Sequence, residues 1–181
     1  MAQGYLPGME ANSALLGIYL NDHLAGATGG TALAKRLATA ERDRPGGDVV
    51  VRLAGEIEED RSALLDMMAA LGVPVRRYKT IAAWAAERIG RFKPNGHLVS
   101  RSPLSGVIEL EAMRLGVEGK AAGWRTLRVR AEHDARLDAA RLDALIVRAR
   151  KQADDLERLR VRAAADAFGG AVEHGAAPGP A

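Results

Sequence analysis

The sequence predicts an all-α fold, a bundle of four long helices. Its composition favours helix, because Ala, Leu, Arg and Glu are abundant and β-branched runs are few. In four segments the apolar residues recur at alternating intervals of three and four, which places them on one face of a helix. Glycine and proline separate most of these segments and predict the turns between them.

Each apolar stripe is interrupted near its middle by polar or small residues. The first stripe consists of Leu16, Tyr19, His23, Gly26, Gly30, Leu33 and Leu37. The second consists of Val50, Leu53, Ile57, Asp60, Leu64, Met67 and Leu71. The third consists of Val107, Leu110, Arg114, Val117, Ala121 and Trp124. The fourth consists of Leu142, Leu145, Ala149, Gln152, Leu156, Leu159 and Ala163. Facing stripes would enclose a buried polar layer of His23, Asp60, Arg114 and Gln152.

Helix one follows a flexible leader predicted for residues 1–10. Asn12 or Ser13 is the predicted N-cap of this helix, because both side chains can accept a hydrogen bond from the first turn. The helix extends to about Ala40. The loop at residues 44–47, with the sequence Arg-Pro-Gly-Gly, separates it from helix two.

Helix two is predicted to begin after an N-cap at Asp48 and to end at Gly72, which Pro74 follows. A long crossover over residues 73–102, with a short helix of its own, connects it to helix three. Proline suits the first position of a helix, so Pro103 predicts the start of helix three.

The boundary between helices three and four lacks glycine and proline. A turn near residues 132–134 is predicted, with Asp134 as the N-cap of helix four. The alternative is a single helix over about residues 103–167, which average helix lengths disfavour. Residues 11–168 are predicted to form one domain, and residues 169–181 are predicted to form a disordered tail.

Two helices, a long crossover and two more helices resemble the ferritin-like superfamily, an antiparallel four-helix bundle with one crossover. The resemblance is one of architecture and covers about residues 12–167. It implies that helices two and three run parallel, which would bring Asp60 and Arg114 to the same depth and favour an ion pair between them. Members with two metal ions carry Glu-x-x-His on two helices. No Glu-x-x-His occurs in this sequence, so that metal chemistry is not carried over.

The polar layer has two interpretations. The preferred one is structural: Asp60 bonded to His23 or Arg114 would satisfy buried groups and fix the helix register. The alternative is a ferritin-like iron or manganese site for oxidase or storage chemistry, for which helix rotation would gather Asp22, His23, Glu56, Glu59, Asp60, Glu111 and Glu118. A guanidinium in the layer disfavours a metal, because it would repel the cation.

Three glycines lie close together in helix one, at positions 26, 29 and 30. Each glycine inside a helix costs about 0.5–1 kcal/mol relative to alanine. Close packing against a bulky partner such as Trp124 or Met67 is the preferred explanation, and space for a bound molecule is the alternative.

The crossover is strongly basic. Residues 74–102 contain seven cations and one acid, Glu87, which gives a charge of +6 (seven minus one). The cations are Arg76, Arg77, Lys79, Arg88, Arg91, Lys93 and Arg101. They are interpreted as solvated charges, with binding of an anionic partner as the alternative. Aromatic residues are few, so nucleic-acid recognition is disfavoured.

The remaining features exclude several classes of function. Cysteine is absent, which excludes thiolate sites and disulfides and is typical of a cytoplasmic protein. No apolar run approaches the roughly 20 residues that span a bilayer. The excess of arginine over lysine is typical of a GC-rich bacterial genome. No phosphate loop, nucleophile elbow or HExxH pattern occurs.

The sequence therefore predicts a non-catalytic cytoplasmic scaffold or protein-interaction module without a cofactor. Apolar surface on helices one and two that the bundle core leaves uncovered predicts self-association or a protein partner.

Overall fold

A computed structural model describes residues 7–76 and 103–169 of the chain, without the side chains of residues 7–12 and 103. The described part contains four helices: α1 (Pro7–Glu41), α2 (Gly47–Ala70), α3 (Pro103–Arg130) and α4 (Ala139–Phe168). No strand occurs in these two ranges, and the helices pack against one another. The predicted all-α bundle is confirmed. Most of the predicted crossover and nearly all of the predicted tail lie outside the described residues.

The four helices form two hairpins, α1 with α2 and α3 with α4. Between the hairpins, α1 lies beside α3 and α2 lies beside α4, whereas α2 and α3 are diagonal. Hydrogen bonds from Tyr19 to Thr126 and from Arg36 to Glu109 show that α1 and α3 are antiparallel. Because α1 is also antiparallel to α2, helices α2 and α3 run parallel, as the sequence predicts.

Most of the predicted apolar stripes form the core. All seven stripe residues of α2 are buried. The first five stripe residues of α4 are buried as well, and in α3 Arg114 is the one stripe residue that is not. In α1, Leu33 and Leu37 are buried, but His23 is half-buried and Gly26 is exposed. The middle of the α1 stripe therefore faces something other than packed side chains.

Helix α1 begins earlier than the sequence predicts. It starts at Pro7, so Asn12 and Ser13 lie inside the helix and neither is its N-cap. The last residues of the expected leader accordingly belong to the helix. Proline is compatible with a first helical turn, because its missing N–H has no partner there in any case.

Helix α2 starts without a side-chain cap. Gly46 occupies the N-cap position with φ +87°, and Asp48 lies in the first turn instead of capping it. A Cβ at Gly46 would approach Leu159 to 3.1 Å, so this position requires glycine both for its backbone and for its neighbour.

The predicted end of α2 is confirmed. Gly72 has φ +69°, and the N–H groups of Gly72 and Val73 donate to the carbonyls of Ala69 and Met68 at 3.0 and 2.8 Å. These are the two hydrogen bonds of a Schellman motif, which satisfies the last carbonyls of the helix.

The chain turns between α3 and α4 over residues 131–138, so a single long helix is wrong. The N-cap of α4 is Asp138, which accepts a hydrogen bond from the Arg141 N–H at 3.1 Å. Asp134, the predicted cap, instead accepts hydrogen bonds from Arg130 and Arg136 at 3.0 and 2.7 Å. Two adjacent guanidiniums therefore hold this carboxylate within the turn.

Within the described ranges, none of the helices combines the length and apolar character needed to cross a lipid bilayer.

Candidate functional site

A cavity of about 460 Å³ lies between α1, α2 and α3. Its wall is mainly apolar, and its polar part includes His23, Asp60 and Lys120. The apolar residues of the wall include Leu33, Ile57, Leu64, Met113, Val117 and Leu127. The volume falls in the range of about 300–1,000 Å³ that is typical of sites for small molecules.

Glycines on two facing helices create this space. Gly26 and Gly30 are four residues apart on α1, and Gly116 and Gly119 are three apart on α3, so each pair shares a helix face. The register set by Tyr19–Thr126 and Arg36–Glu109 places Gly26 opposite Gly119, and Gly30 next to Gly116. A Cβ added at any of these four glycines would have nothing within 4 Å. The preferred prediction, close packing of these glycines against a bulky side chain, is therefore wrong at positions 26 and 30. Open space, which the alternative explanation required, is present there.

Close packing does occur at a fifth glycine. A Cβ at Gly123 would lie 3.0 Å from the His23 ring, so this glycine lets the imidazole pack against α3. The His23 ring also contacts the Tyr19 ring, with centroids 4.5 Å apart. Burial lowers the pKa of His23, and the nearby Asp22 carboxylate only partly offsets this. His23 is therefore neutral near pH 7.

Trp124 lies in the cavity wall, and its indole N–H is a buried hydrogen-bond donor that does not face the cavity. Its side chain is 2% exposed, and its indole N–H has no hydrogen-bond partner among the described residues. A buried donor without an acceptor is unfavourable, since the energy of its lost contact with water is not recovered.

An ionic layer closes one side of the cavity. The Lys120 ammonium donates to Asp60 at 2.5 Å and to Gln152 at 2.6 Å. The Gln152 amide donates to Asp60 at 3.2 Å, and Arg148 donates to the other oxygen of the same carboxylate. Asp60 and Gln152 are 2% and 0% exposed, so the layer lies inside the bundle. The sequence predicted these two members correctly.

The layer continues towards the surface between α2 and α4. The Gln152 amide also donates to Glu56 at 3.0 Å, and Arg52 joins Glu56 to Asp155 at 2.5 and 2.6 Å. Burial raises the pKa of Glu56, but hydrogen bonds from Gln152 and Arg52 outweigh it and leave that pKa below its ordinary value. The carboxyl groups of Glu56 and Asp155 are therefore ionised and paired at neutral pH.

Lys120 occupies the place that the sequence analysis gave to Arg114. The Arg114 side chain is 40% exposed and its Nε lies 3.4 Å from Glu157, so it does not pair with Asp60. Six residues separate positions 114 and 120, about 9 Å along a helix axis. At 3.6 residues per turn these two side chains also leave α3 about 120° apart, so the rotation of α3 about its axis turns Lys120 and not Arg114 towards Asp60.

The sequence contains a signal for Lys120. This residue follows Val117 by three positions and precedes Trp124 by four, so it shares their helix face. The stripe passed through Ala121, which satisfies the same spacing. Spacing alone does not distinguish the two positions, because a step of three followed by four and a step of four followed by three both lead from Val117 to Trp124.

The predicted metal ligands do not converge. Within residues 7–76 and 103–169 no group of three or more His, Asp or Glu side chains is arranged to hold a metal ion. Glu59 pairs with Arg148 at 2.8 Å, and Glu111 lies 3.6 Å from Arg160. Asp22 and Glu118 are exposed. The His23 of the predicted layer makes no hydrogen bond to Asp60 in this part of the chain, since its ring packs against Gly123 and Tyr19.

The predicted patch for an anionic partner falls almost entirely outside the described residues. Arg76 is its one member within them, and the backbone N–H of Arg76 donates to the Asn21 side chain at 2.7 Å. This contact attaches the beginning of the crossover to α1.

No protein-family model matches the chain, and neither a curated protein nor a solved structure shows significant similarity to it. The resemblance to the ferritin-like superfamily therefore stays a prediction from architecture.

Proposed function

We propose that this protein is a binding bundle that holds one small, mainly apolar molecule in the cavity between α1, α2 and α3. The observation that supports this most directly is the pair of facing glycine stripes. Four helical glycines border the cavity where an added Cβ would meet no atom within 4 Å. Alanine at these positions would favour the helix by about 0.5–1 kcal/mol each, so close packing does not explain the glycines.

The chemistry of the wall defines the kind of ligand. Leu33, Ile57 and Val117 provide apolar contact for a hydrocarbon part. Lys120 provides a hydrogen-bond donor. A ligand with an apolar body and one oxygen acceptor satisfies both parts of the wall.

A neutral dye that fluoresces in apolar surroundings, N-phenyl-1-naphthylamine, tests the proposal on the full chain. We expect saturable binding of one equivalent, and displacement of the dye by 1-decanol. In the double variant Gly26→Leu/Gly30→Leu the added side chains occupy the cavity, so the dye signal should fall to background.

The matched control is Gly55→Leu, which adds the same side chain to an exposed position of α2 where a Cβ also meets nothing within 4 Å. This variant should bind the dye as the unaltered protein does. Equal dye binding by the Gly26→Leu/Gly30→Leu protein, with its helix content preserved, would contradict the proposal.

The other functions expected from the sequence stay predictions. They are a scaffold or protein-interaction role in a bacterial cytoplasm, and binding of an anionic partner through residues 74–102.

A further inference from the structure

Lys120 combines burial with a position on the cavity wall. Its side chain is 14% exposed, compared with 56% for Lys35 and 65% for Lys151. The chain uses arginine for 21 of its 26 cations. Arginine pairs with a carboxylate at least as well as lysine does, so ion pairing alone does not call for lysine here. What lysine adds is a primary amine that can react as a nucleophile.

The contacts of this amine leave one of its positions open. An ammonium group has three N–H donors. Two of them are directed to Asp60 and Gln152, at 2.5 and 2.6 Å, and no third partner occurs among the described residues. Asp60 belongs to α2 and Gln152 to α4, and the cavity between α1, α2 and α3 borders the same lysine. After transfer of the shared proton to Asp60, rotation about the Cε–Nζ bond turns the lone pair of the neutral amine to the open position.

On the basis of the proposed binding function, we infer that the ligand carries an aldehyde or ketone group, and that the Lys120 amine binds it reversibly as a protonated Schiff base with Asp60 as its counterion. The hydrocarbon part of the ligand then lies among the apolar residues of the cavity.

The reaction balances without an external reagent. The ammonium of Lys120 first gives a proton to Asp60, and the amine attacks the carbonyl carbon, so that a C–N bond forms and the carbonyl π electrons move to oxygen. A proton moves from nitrogen to that oxygen, which gives a neutral carbinolamine. Asp60 then protonates the hydroxyl group, the C–O bond breaks, and water leaves as C=N⁺ forms. One ammonium and one carbonyl thus give one iminium and one water.

The charge of the site is the same before and after this reaction. The iminium remains positive, so Asp60 keeps a cation beside it and Arg148 keeps its carboxylate partner. Leaving a buried carboxylate with fewer cations would be strongly unfavourable, and this route avoids it. Burial also lowers the pKa of Lys120, which the attraction of Asp60 only partly offsets, and this increases the fraction of reactive free amine.

Reductive trapping of an aldehyde tests the inference. The full chain is treated at pH 7 with a low concentration of decanal and sodium cyanoborohydride, which converts an imine into a stable secondary amine, and the modified peptides are identified by mass spectrometry. We expect one decyl group per chain, on Lys120 before any appears on Lys35 or Lys151, because the cavity holds the aldehyde beside this amine and its lowered pKa increases the fraction of free amine.

Two variants make the result specific. Lys120→Arg keeps a cation for Asp60 but cannot form an imine, so the fast label should disappear while the bundle stays folded. Lys151→Arg removes an exposed lysine and should leave the fast label unchanged. A label spread equally over the lysines, or an undiminished fast label in Lys120→Arg, would overturn the inference.

Failure of this inference can be told apart from failure of the binding function. If 1-decanol displaces the dye but decanal is not trapped, the cavity binds apolar molecules and the Schiff base is wrong. If neither the dye nor decanal binds, both proposals are wrong.

Discussion

Lys120 of α3 donates a hydrogen bond of 2.5 Å to Asp60 of α2, although no Cα atom of α3 comes within 8 Å of one in α2. The two side chains therefore meet in the interior, between diagonal helices whose backbones lie far apart. Gln152 of α4 is hydrogen-bonded to both of them, so it also links the α3–α4 hairpin to the α1–α2 hairpin. Because these buried groups would lose their partners if a helix moved along its axis, the layer favours one axial position of α2 relative to α3 and α4.

Removal of the central carboxylate should be strongly destabilising. In Asp60→Ala, Lys120 and Arg148 lose their common partner inside the bundle, and we expect a loss of about 3–5 kcal/mol in the free energy of unfolding. Asp66→Ala is the matched control, since Asp66 also joins α2 to α4 through Arg141 but is 62% exposed. The control should lose at most about 1 kcal/mol. Urea unfolding measures both, and equal losses would contradict an energetic role for the buried layer.

The glycines that border the cavity should differ in their response to alanine. Gly30→Ala adds a Cβ with nothing within 4 Å, so we expect it to stabilise the protein by about 0.5–1 kcal/mol through helix propensity. Gly123→Ala places a Cβ 3.0 Å from the His23 ring, which must move, so this gain should be lost or reversed. Urea unfolding of the two variants compares them. A larger gain from Gly123→Ala would show that the ring is not packed as described.

Acid should weaken the fold through His23 before it affects the carboxylates. Burial lowers the pKa of this imidazole, so as the pH falls below the ordinary value of 6.5 the unfolded chain takes up a proton that the folded protein resists. The free energy of unfolding should therefore fall from about pH 6.5 downwards, and His23→Gln should remove this dependence. His133→Gln, in the exposed turn after α3, should keep it. Thermal unfolding at a series of pH values checks this, and an unchanged profile in His23→Gln would exclude the histidine as its source.

The first turns of α2 and α4 should depend unequally on their acidic residues, because only that of α4 has a side-chain cap. Asp138→Ala removes the side chain that accepts from the first turn of α4 and should cost about 0.5–2 kcal/mol. Asp48→Ala removes only an acid in the first turn of α2, where no side-chain cap exists, and should cost about 0.3–1 kcal/mol. Urea unfolding again provides the measurement. A clearly larger loss for Asp48→Ala would mean that it does cap α2.

Local chemistry was sufficient to predict the helices and most of their buried faces. The stripe of α2 is buried at every position, because spacing by threes and fours determines which residues share a helix face whatever the partner. Gly72 ended α2 as expected, since its backbone conformation depends on glycine itself. The buried Asp60 and Gln152 were predicted for the same reason of spacing.

Only the tertiary structure decided which groups meet. Whether Arg114 or Lys120 faces Asp60 depends on the rotation and axial position of α3, which arise from the packing of all four helices and cannot be read from the spacing within one of them. Likewise, Gly26 and Gly30 could border a space or a neighbour, and the facing Gly116 and Gly119 on a helix distant in sequence determined that they border a space. Periodicity is a property of one helix, whereas a cavity and an ion pair are properties of the register between helices.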